Sequence, residues 1–345
     1  MPSIFAVTDA GVALEPSAID AVAAETRSGL TSRPRTLSPW LFYDEAGSRL
    51  FEQITQLPEY YLTRTERAIF TLHADEIVTH ASHSNGNGLS PTLTLIELGA
   101  GTATKTGILL SAAVRRQGAV VYQPVDVSVT ALEAATKNIR DNIPGVTIRC
   151  QVADYTTQPL PENRLLNTRT LALYIGSSIG NFCPENAAGV LRNLRAQLLP
   201  GDQLLLGTDF APSTHKKVAT ILAAYNDAAG VTAAFNRNIL IRLNRELGAN
   251  FRPEAFAHRA IWNAAKSRIE MHLVSLAPQR IRIPANSAGG TLNLDFAAGE
   301  TIHTENSYKF TLTRVESLLA SAGFHLTNTW QDAHHYFAVN LATAV

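Results

Sequence analysis

The chain has 345 residues, 29 basic and 29 acidic side chains and no formal net charge; 46% of its residues are hydrophobic and 17% charged. That charged share is below the ~25% of an average globular protein, and the length suggests about two domains with a large core, which excludes disorder as the main state. A neutral balance whose cationic runs stop at Arg115-Arg116 and Lys216-Lys217 excludes an extended nucleic-acid surface. Two cysteines, Cys150 and Cys183, make neither a disulfide framework nor a cysteine metal cage, and no apolar stretch approaches the ~18 residues of a membrane span. Residues 1–16 lack a basic segment followed by an apolar one, so no signal peptide is expected, and the chain reads as a cytoplasmic enzyme.

In chain order, residues 1–37 read as a loosely ordered lead-in with one short helix near 16–26. Helices follow at 44–56 and 66–79. The second is introduced by Thr63-Arg64-Thr65-Glu66, a pattern in which hydroxyl and carboxylate each satisfy a free backbone N–H at a helix start. Between them, Leu57-Pro58-Glu59-Tyr60-Tyr61-Leu62 is a turn displaying two tyrosines. After a Gly/Asn/Ser-rich break at 83–91, apolar runs at 93–98, 119–127, 146–152, 169–175 and 203–207 alternate with helical stretches at 104–117, 130–142 and 184–199. Nearly continuous apolar strands alternating with helices require a mostly parallel sheet covered on both faces, and right-handed crossovers make it doubly wound. Helices at 212–229 and 232–247 come next, the latter closed by Gly248. Strands at 257–264, 268–275 and 301–310 flank a break at Ala288-Gly289-Gly290. A helix at 314–322 and strands at 326–331 and 335–341 complete the sheet's far edge. The expected division is a sheet domain, 66–213 plus 311–345, and an inserted α+β lobe, 18–65 plus 214–310.

Ile96-Glu97-Leu98-Gly99-Ala100-Gly101-Thr102 ends the first strand of the alternating unit. Glycine there lets the backbone approach a ligand and turns the chain into a helix whose first amides face the crevice; a tight turn with no ligand uses the same residues. Asp126 ends the second strand, where a carboxylate accepts hydrogen bonds from both hydroxyls of a ribose. The sixth position of a dinucleotide fingerprint is Thr104 instead of Gly or Ala, so nicotinamide and flavin dinucleotides fit poorly. A nucleoside without a pyrophosphate fits better, and the pattern is similar to S-adenosylmethionine methyltransferases. Asp154 and Tyr155 end the third strand, suited either to an adenine amine and ring or to a plain Asp turn. Gly176, Ser177 and Asn181 end the fourth, beside the point where strand order reverses and ligands bind.

With these residues in view, the chain from about Ser38 to its C-terminus resembles the histidine-specific Nα-methyltransferases of ergothioneine biosynthesis. The resemblance is carried by Leu41-Phe42-Tyr43-Asp44, the 57–66 turn, Glu97 to Thr102, Pro124-Val125-Asp126-Val127-Ser128, 176–181, Gly207-Thr208-Asp209, 224–238, Ile269-Glu270-Met271 and Thr304-Glu305-x-Ser307-x-Lys309-Phe310. It implies a class I methyltransferase-like sheet, S-adenosyl-L-methionine as cofactor and trimethylation of the histidine α-amine to hercynine. It further implies that Gly99, Lys105, Asp126, Asp154, Tyr155, Gly176 and Ser177 hold the cofactor. Tyr60, Asn181, Tyr225, Glu305 and Ser307 would hold histidine, Tyr43 and Met271 would line its pocket, and Asn181 and Tyr60 would act at the reacting amine. Read without the resemblance, Glu305 and Ser307 stand two apart on a strand and share a face, where a carboxylate and a hydroxyl suit the two nitrogens of an imidazole; an exposed polar strand face has the same pattern. Met271 shares its face with Ile269 and Leu273 and reads first as core. No metal site is expected, since the ten histidines include no H-E-x-x-H and no His/Cys cluster at ligand spacing. An indole amino acid is a rival acceptor, disfavoured because an indole has one N–H and no need of a buried carboxylate. A non-catalytic nucleotide-sensing module would have no reason for the Tyr60, Asn181, Tyr225 and Glu305 set. The partner is expected to be a small molecule, histidine and its mono- and dimethyl forms, acted on by a monomer.

Overall fold

Strands Thr92–Leu98, Val120–Asp126, Thr168–Tyr174 and Gln203–Asp209 are apolar at most positions and buried along nearly their whole length, so each needs cover on both faces. The computed structural model describes residues 16–82, 92–156, 158 and 168–345; the leader reading on 1–16 rests on residues almost all outside these, and the 83–91 break lies outside them. The four strands pair in parallel, in the order 203–209, 168–174, 92–98, 120–126, with the short Val146–Ile148 and Gln151–Val152 pieces on the outer edge. Phe337–Ala344 pairs antiparallel with 203–209, and Phe324–Gln331 pairs antiparallel with it in turn, so only Phe337–Ala344 runs against the other strands of the eight-stranded sheet. Helix Tyr61–Ala81 packs against Thr106–Gln117, and Pro184–Ala196 against Leu312–Ser321. The two pairs belong to separate apolar cores, one on each face of the expected doubly wound, mostly parallel sheet.

A second sheet is antiparallel, Phe256–Asn263 beside Arg268–Ser275 beside Thr301–Tyr308, with Arg35–Thr36 added in parallel at the edge. Its inner face packs on Val231–Leu247. That helix in turn packs on Glu45–Gln56, whose start is capped by the Asp44 carboxylate accepting from Gly47 N–H at 2.7 Å.

Four expectations change. The lead-in is ordered from residue 16: helix Pro16–Thr31 is longer than expected, and Arg35–Thr36 is a strand. The helix expected at 66 starts at Tyr61 and runs through the proposed 65/66 boundary. Thr63 and Glu66 therefore cap nothing; the Glu66 carboxylate is buried and turned toward the sheet. The helix expected over 212–229 is only Val218–Ala224, because the chain at 210–217 loops to bury Lys216. A hairpin, Gln279–Ile283 with Leu292–Phe296, spans the Gly289-Gly290 break. Its alternating buried and exposed residues follow the polar-apolar period of Gln279-Arg280-Ile281-Arg282-Ile283. Among the described residues no helix is long and apolar enough to cross a membrane.

The two sheets meet at Asp209, the last residue of its strand, which is completely buried. Its carboxylate accepts from Lys309 Nζ at 2.8 Å, from Tyr61 OH at 2.8 Å and from Lys216 Nζ. Lys309 follows the small-sheet strand Thr301–Tyr308, while Lys216 also donates to the Phe210 and Tyr336 carbonyls at 2.7 and 3.0 Å. Burial alone would raise the Asp209 pKa, but the two ammonium groups outweigh it and hold the carboxyl below its ordinary value. Burial brings Lys216 down to about 8 against the pull of Asp209. Replacing Asp209 by alanine strands two buried cations. Urea unfolding of Asp209→Ala is expected to show a loss of about 3–5 kcal/mol; a loss under about 1 kcal/mol would remove this cluster from the fold's supports.

Candidate functional site

The strand order reverses between Thr92–Leu98 and Thr168–Tyr174, so the crevice opens where Gly99 and Gly176 follow these strands. Both glycines have positive φ, +68° and +79°, a conformation costly for other residues. Asp126 faces the crevice with its carboxylate fixed by two backbone donors, Gly101 N–H at 3.0 Å and Ser128 N–H at 2.9 Å. Each oxygen keeps a lone pair for a further donor. The Tyr155 ring lies over Gly99, 3.5 Å from where a Cβ would stand, and meets Tyr174 edge-on at 5.6 Å. Asp154 makes the turn weighed above: its Oδ1 accepts from Thr156 N–H at 2.9 Å and from the Thr156 hydroxyl at 2.6 Å. Asp126, Asp154, Tyr155, Gly99 and Gly176 thus stand at one sheet edge. Lys105 joins them with its ammonium paired to Glu66.

Beside the crevice lies a cavity walled by aromatic and polar side chains, the mixture that suits a small-molecule site. Tyr43, Tyr60, Asn181, Tyr225, Met271, Glu305 and Ser307 all line it, and so do Gly176 and Ser177, which belong to its wall as much as to the crevice. Phe51 and Phe235 add an apolar side; Tyr43 packs edge-on to both, at 5.7 and 5.8 Å. Burial, with nearby carboxylates adding to it, holds the phenols of Tyr43, Tyr60 and Tyr225 well above their ordinary range, so all three are neutral hydroxyls.

Glu305 and Ser307 share the inner face, as their spacing requires, but a β-bulge was not foreseen. Register shifts between His303 and Glu305, leaving Thr304 and Glu305 together opposite Met271. Thr304 turns inward too, its hydroxyl donating to Asn236 Oδ1 at 2.8 Å. None of the described residues hydrogen-bonds the Glu305 carboxylate. Burial lifts it to about 7, although the Lys309 charge pulls the other way.

Sequence reasoning missed Glu66. Its buried carboxylate accepts from Gly176 N–H at 2.8 Å and pairs with Lys105, tying helix Tyr61–Ala81 to the loop that walls both crevice and cavity. A Cβ on Gly207 would stand 2.2 Å from Glu66 Oε1, so the glycine of Gly207-Thr208-Asp209 gives this carboxylate its room; the unexplained glycine was the available signal.

On the opposite face of the small sheet, Glu270, His272 and His303 bring ligand atoms within 4.8 Å of one another. Arg268 engages the Glu270 carboxylate at 2.8 Å, and the two imidazoles stack with centroids 4.8 Å apart and planes 23° from parallel. Their in-plane lone pairs therefore run side by side, unlike those of a tetrahedral metal site. Burial takes His272 down to about 4, while Glu270 is held at about 2 because, against the effect of burial, Arg268 and Asn263 hydrogen-bond it.

A model of histidine-specific, SAM-dependent methyltransferases matches residues 22–344. The chain is 42% identical to a histidine N-alpha-methyltransferase of Mycolicibacterium smegmatis, over 94% of this chain and 96% of that one. It is 40% identical to a histidine N-alpha-methyltransferase of Mycobacterium tuberculosis, over 93% and 94%. To ergothioneine biosynthesis protein 1 of Neurospora crassa it is 29% identical over 88% of this chain, which spans 32% of that protein.

The isolated Glu305 carboxylate makes a stability prediction. Its pKa near 7 when folded, against an ordinary 4.5, means that the folded chain holds the proton more tightly. Stability is therefore lost as pH rises from about 4.5 to 7 and the group ionises. Glu305→Gln removes that charge and should raise the unfolding free energy at pH 8 by on the order of 2–3 kcal/mol, with the gain fading near pH 5. Denaturation at both pH values checks this; an equal effect at both would contradict it.

Proposed function

The chain belongs to the histidine-specific, S-adenosylmethionine-dependent methyltransferases, and from that membership we propose that it transfers methyl groups to the α-amine of L-histidine, three times over, to give hercynine. The observation that carries this reading is Glu305. A half-buried carboxylate that no described residue hydrogen-bonds enters the same cavity as the 176–181 loop, and an imidazole N–H is the partner it lacks. An indole acceptor would supply one N–H as well but leave the Ser307 and Tyr225 hydroxyls without an acceptor opposite.

The crevice residues fit the cofactor. Asp126, already held by two backbone amides, has lone pairs for both ribose hydroxyls. The positive-φ Gly99 and the open space at Gly101, where a Cβ would meet nothing within 4 Å, let the backbone approach. Tyr155 offers a ring face, and Asp154, Lys105, Gly176 and Ser177 complete the set; when bound, the cofactor supplies an electrophilic methyl and a thioether leaving group. The protein's part is to hold histidine. Glu305 accepts from one ring nitrogen, the Ser307–Tyr225 pair addresses the other, and Tyr43, Met271, Phe51 and Phe235 exclude water from the ring. The Asn181 amide oxygen and the Tyr60 hydroxyl orient the amine so that its lone pair stays directed at the methyl carbon. Each transfer would require the amine to arrive neutral, so one proton leaves it beforehand, to water or to the tyrosine hydroxyls, and the trimethylated nitrogen retains none. Nothing here needs a strong nucleophile, and the acceleration rests on proximity and in-line alignment.

In this reading 66–213 plus 311–345 carry the cofactor and 18–65 plus 214–310 the substrate, with the first boundary moved to the start of helix Tyr61–Ala81. The protein acts as a cytoplasmic monomer; its free, exposed Cys150 suits a reducing compartment.

Incubation with S-adenosylmethionine and histidine should yield products carrying one, two and three methyl groups, all placed on the α-nitrogen by fragmentation mass spectrometry. Ring methylation, or no product, would contradict the reading. Asp126→Ala should weaken S-adenosylhomocysteine binding by about 1.5–3 kcal/mol in calorimetry; an unchanged dissociation constant would take Asp126 out of the cofactor site.

A further inference from the structure

Lys309 is fully buried, and an ammonium group has three protons and no acceptor. All three are used. Lys309 Nζ donates to Asp209 Oδ2, to Tyr225 OH and to Ser307 Oγ, each at 2.8 Å. Tyr225 OH and Ser307 Oγ are themselves 2.7 Å apart, so one hydroxyl donates to the other. The triangle contains two hydroxyl protons and one hydroxyl–hydroxyl bond. Whichever partner donates, one proton remains, and with Lys309 on the inner side it points to the cavity that both residues line.

We propose that Lys309 is a positioning residue that fixes the Tyr225–Ser307 pair as a hydrogen-bond donor, so that the pocket selects a neutral imidazole. The inference rests on the function proposed above and deepens it. A lone hydroxyl rotates and is donor or acceptor as its ligand requires; in this pair the ammonium takes one lone pair on each oxygen and the internal bond takes a third of the four, so the hydroxyl that carries the free proton has no lone pair left to offer. Beside Ser307 on the same strand face Glu305, once ionised, only accepts. One fixed donor beside one fixed acceptor matches a ring with one protonated and one bare nitrogen. An imidazolium, with two N–H groups, would set a proton against a proton. A phenyl ring satisfies neither side.

The test uses histidine labelled with 15N in the ring, bound to the wild-type protein with S-adenosylhomocysteine. The ring nitrogens should give two separate NMR signals, one in the protonated and one in the unprotonated range. Two protonated nitrogens would overturn the inference. In Lys309→Met, where Asp209 keeps Lys216 and Tyr61, histidine affinity should fall by roughly tenfold or more. S-adenosylhomocysteine affinity should hold, and phenylalanine affinity should move by less than about threefold. Equal losses for histidine and phenylalanine, or no loss for histidine, would overturn it. Should the variant lose S-adenosylhomocysteine binding through misfolding, the wild-type spectrum decides. A wild-type protein that binds no histidine overturns the function itself, a result distinct from either spectrum.

Discussion

One carboxylate, Asp209, ties the molecule together. It ends a central strand of the large sheet and is reached by Lys309 from the small sheet, Lys216 from the connecting loop and Tyr61 from the first turn of a covering helix. Charges this deeply buried are tolerable only when paired and hydrogen-bonded. Each partner's backbone is therefore constrained: 210–217 loops so that Lys216 reaches inward, and Thr301–Tyr308 ends where Lys309 meets Asp209. The Asp209 N–H also donates to Ser177 Oγ at 2.9 Å, which brings the loop after the fourth strand into the same cluster. Crevice and cavity share a wall because the residues on either side of it answer to one buried charge.

The same economy of partners explains the pocket. Lys309 leaves Asp209 only one face and presents the other to Tyr225 and Ser307, so a group that supports the fold also sets the polarity of the cavity. Glu305 shows the converse: among the described residues none hydrogen-bonds its half-buried carboxylate, and burial lifts its pKa to about 7. A residue unfavourable to the empty protein is retained where a ligand N–H would complete it, as polar groups in binding sites often are.

The parallel sheet was legible because its strands are apolar on both faces and alternate with helices, and Gly99, Asp126 and Gly176 follow from where such strands end. The cavity set was legible through the 57–66, 176–181 and 304–310 motifs, whose residues converge although far apart in sequence. What was not legible shares a physical origin. Glu66 looked like a helix cap because local pattern cannot tell a carboxylate facing solvent from one facing Gly176. The bulge at Thr304 depends on a partner strand and leaves no local mark. The loop at 210–217 holds Pro212, Ser213 and Thr214, poor helix formers that the helix reading passed over, and nothing local marks Lys216 for burial. The Gln279–Ile283 hairpin was visible in its alternation and was passed over for the glycines beside it.

The most direct test of the account is a crystal structure of the ternary complex with S-adenosylhomocysteine and histidine. The account predicts the imidazole between Glu305 and the Tyr225–Ser307 pair, each ring nitrogen within hydrogen-bonding distance of its own side, and the α-nitrogen turned to Asn181 and the cofactor sulfur. A histidine bound with its ring toward the sulfur, or with its carboxylate against the Tyr225–Ser307 pair and its ring away from Glu305, would contradict it.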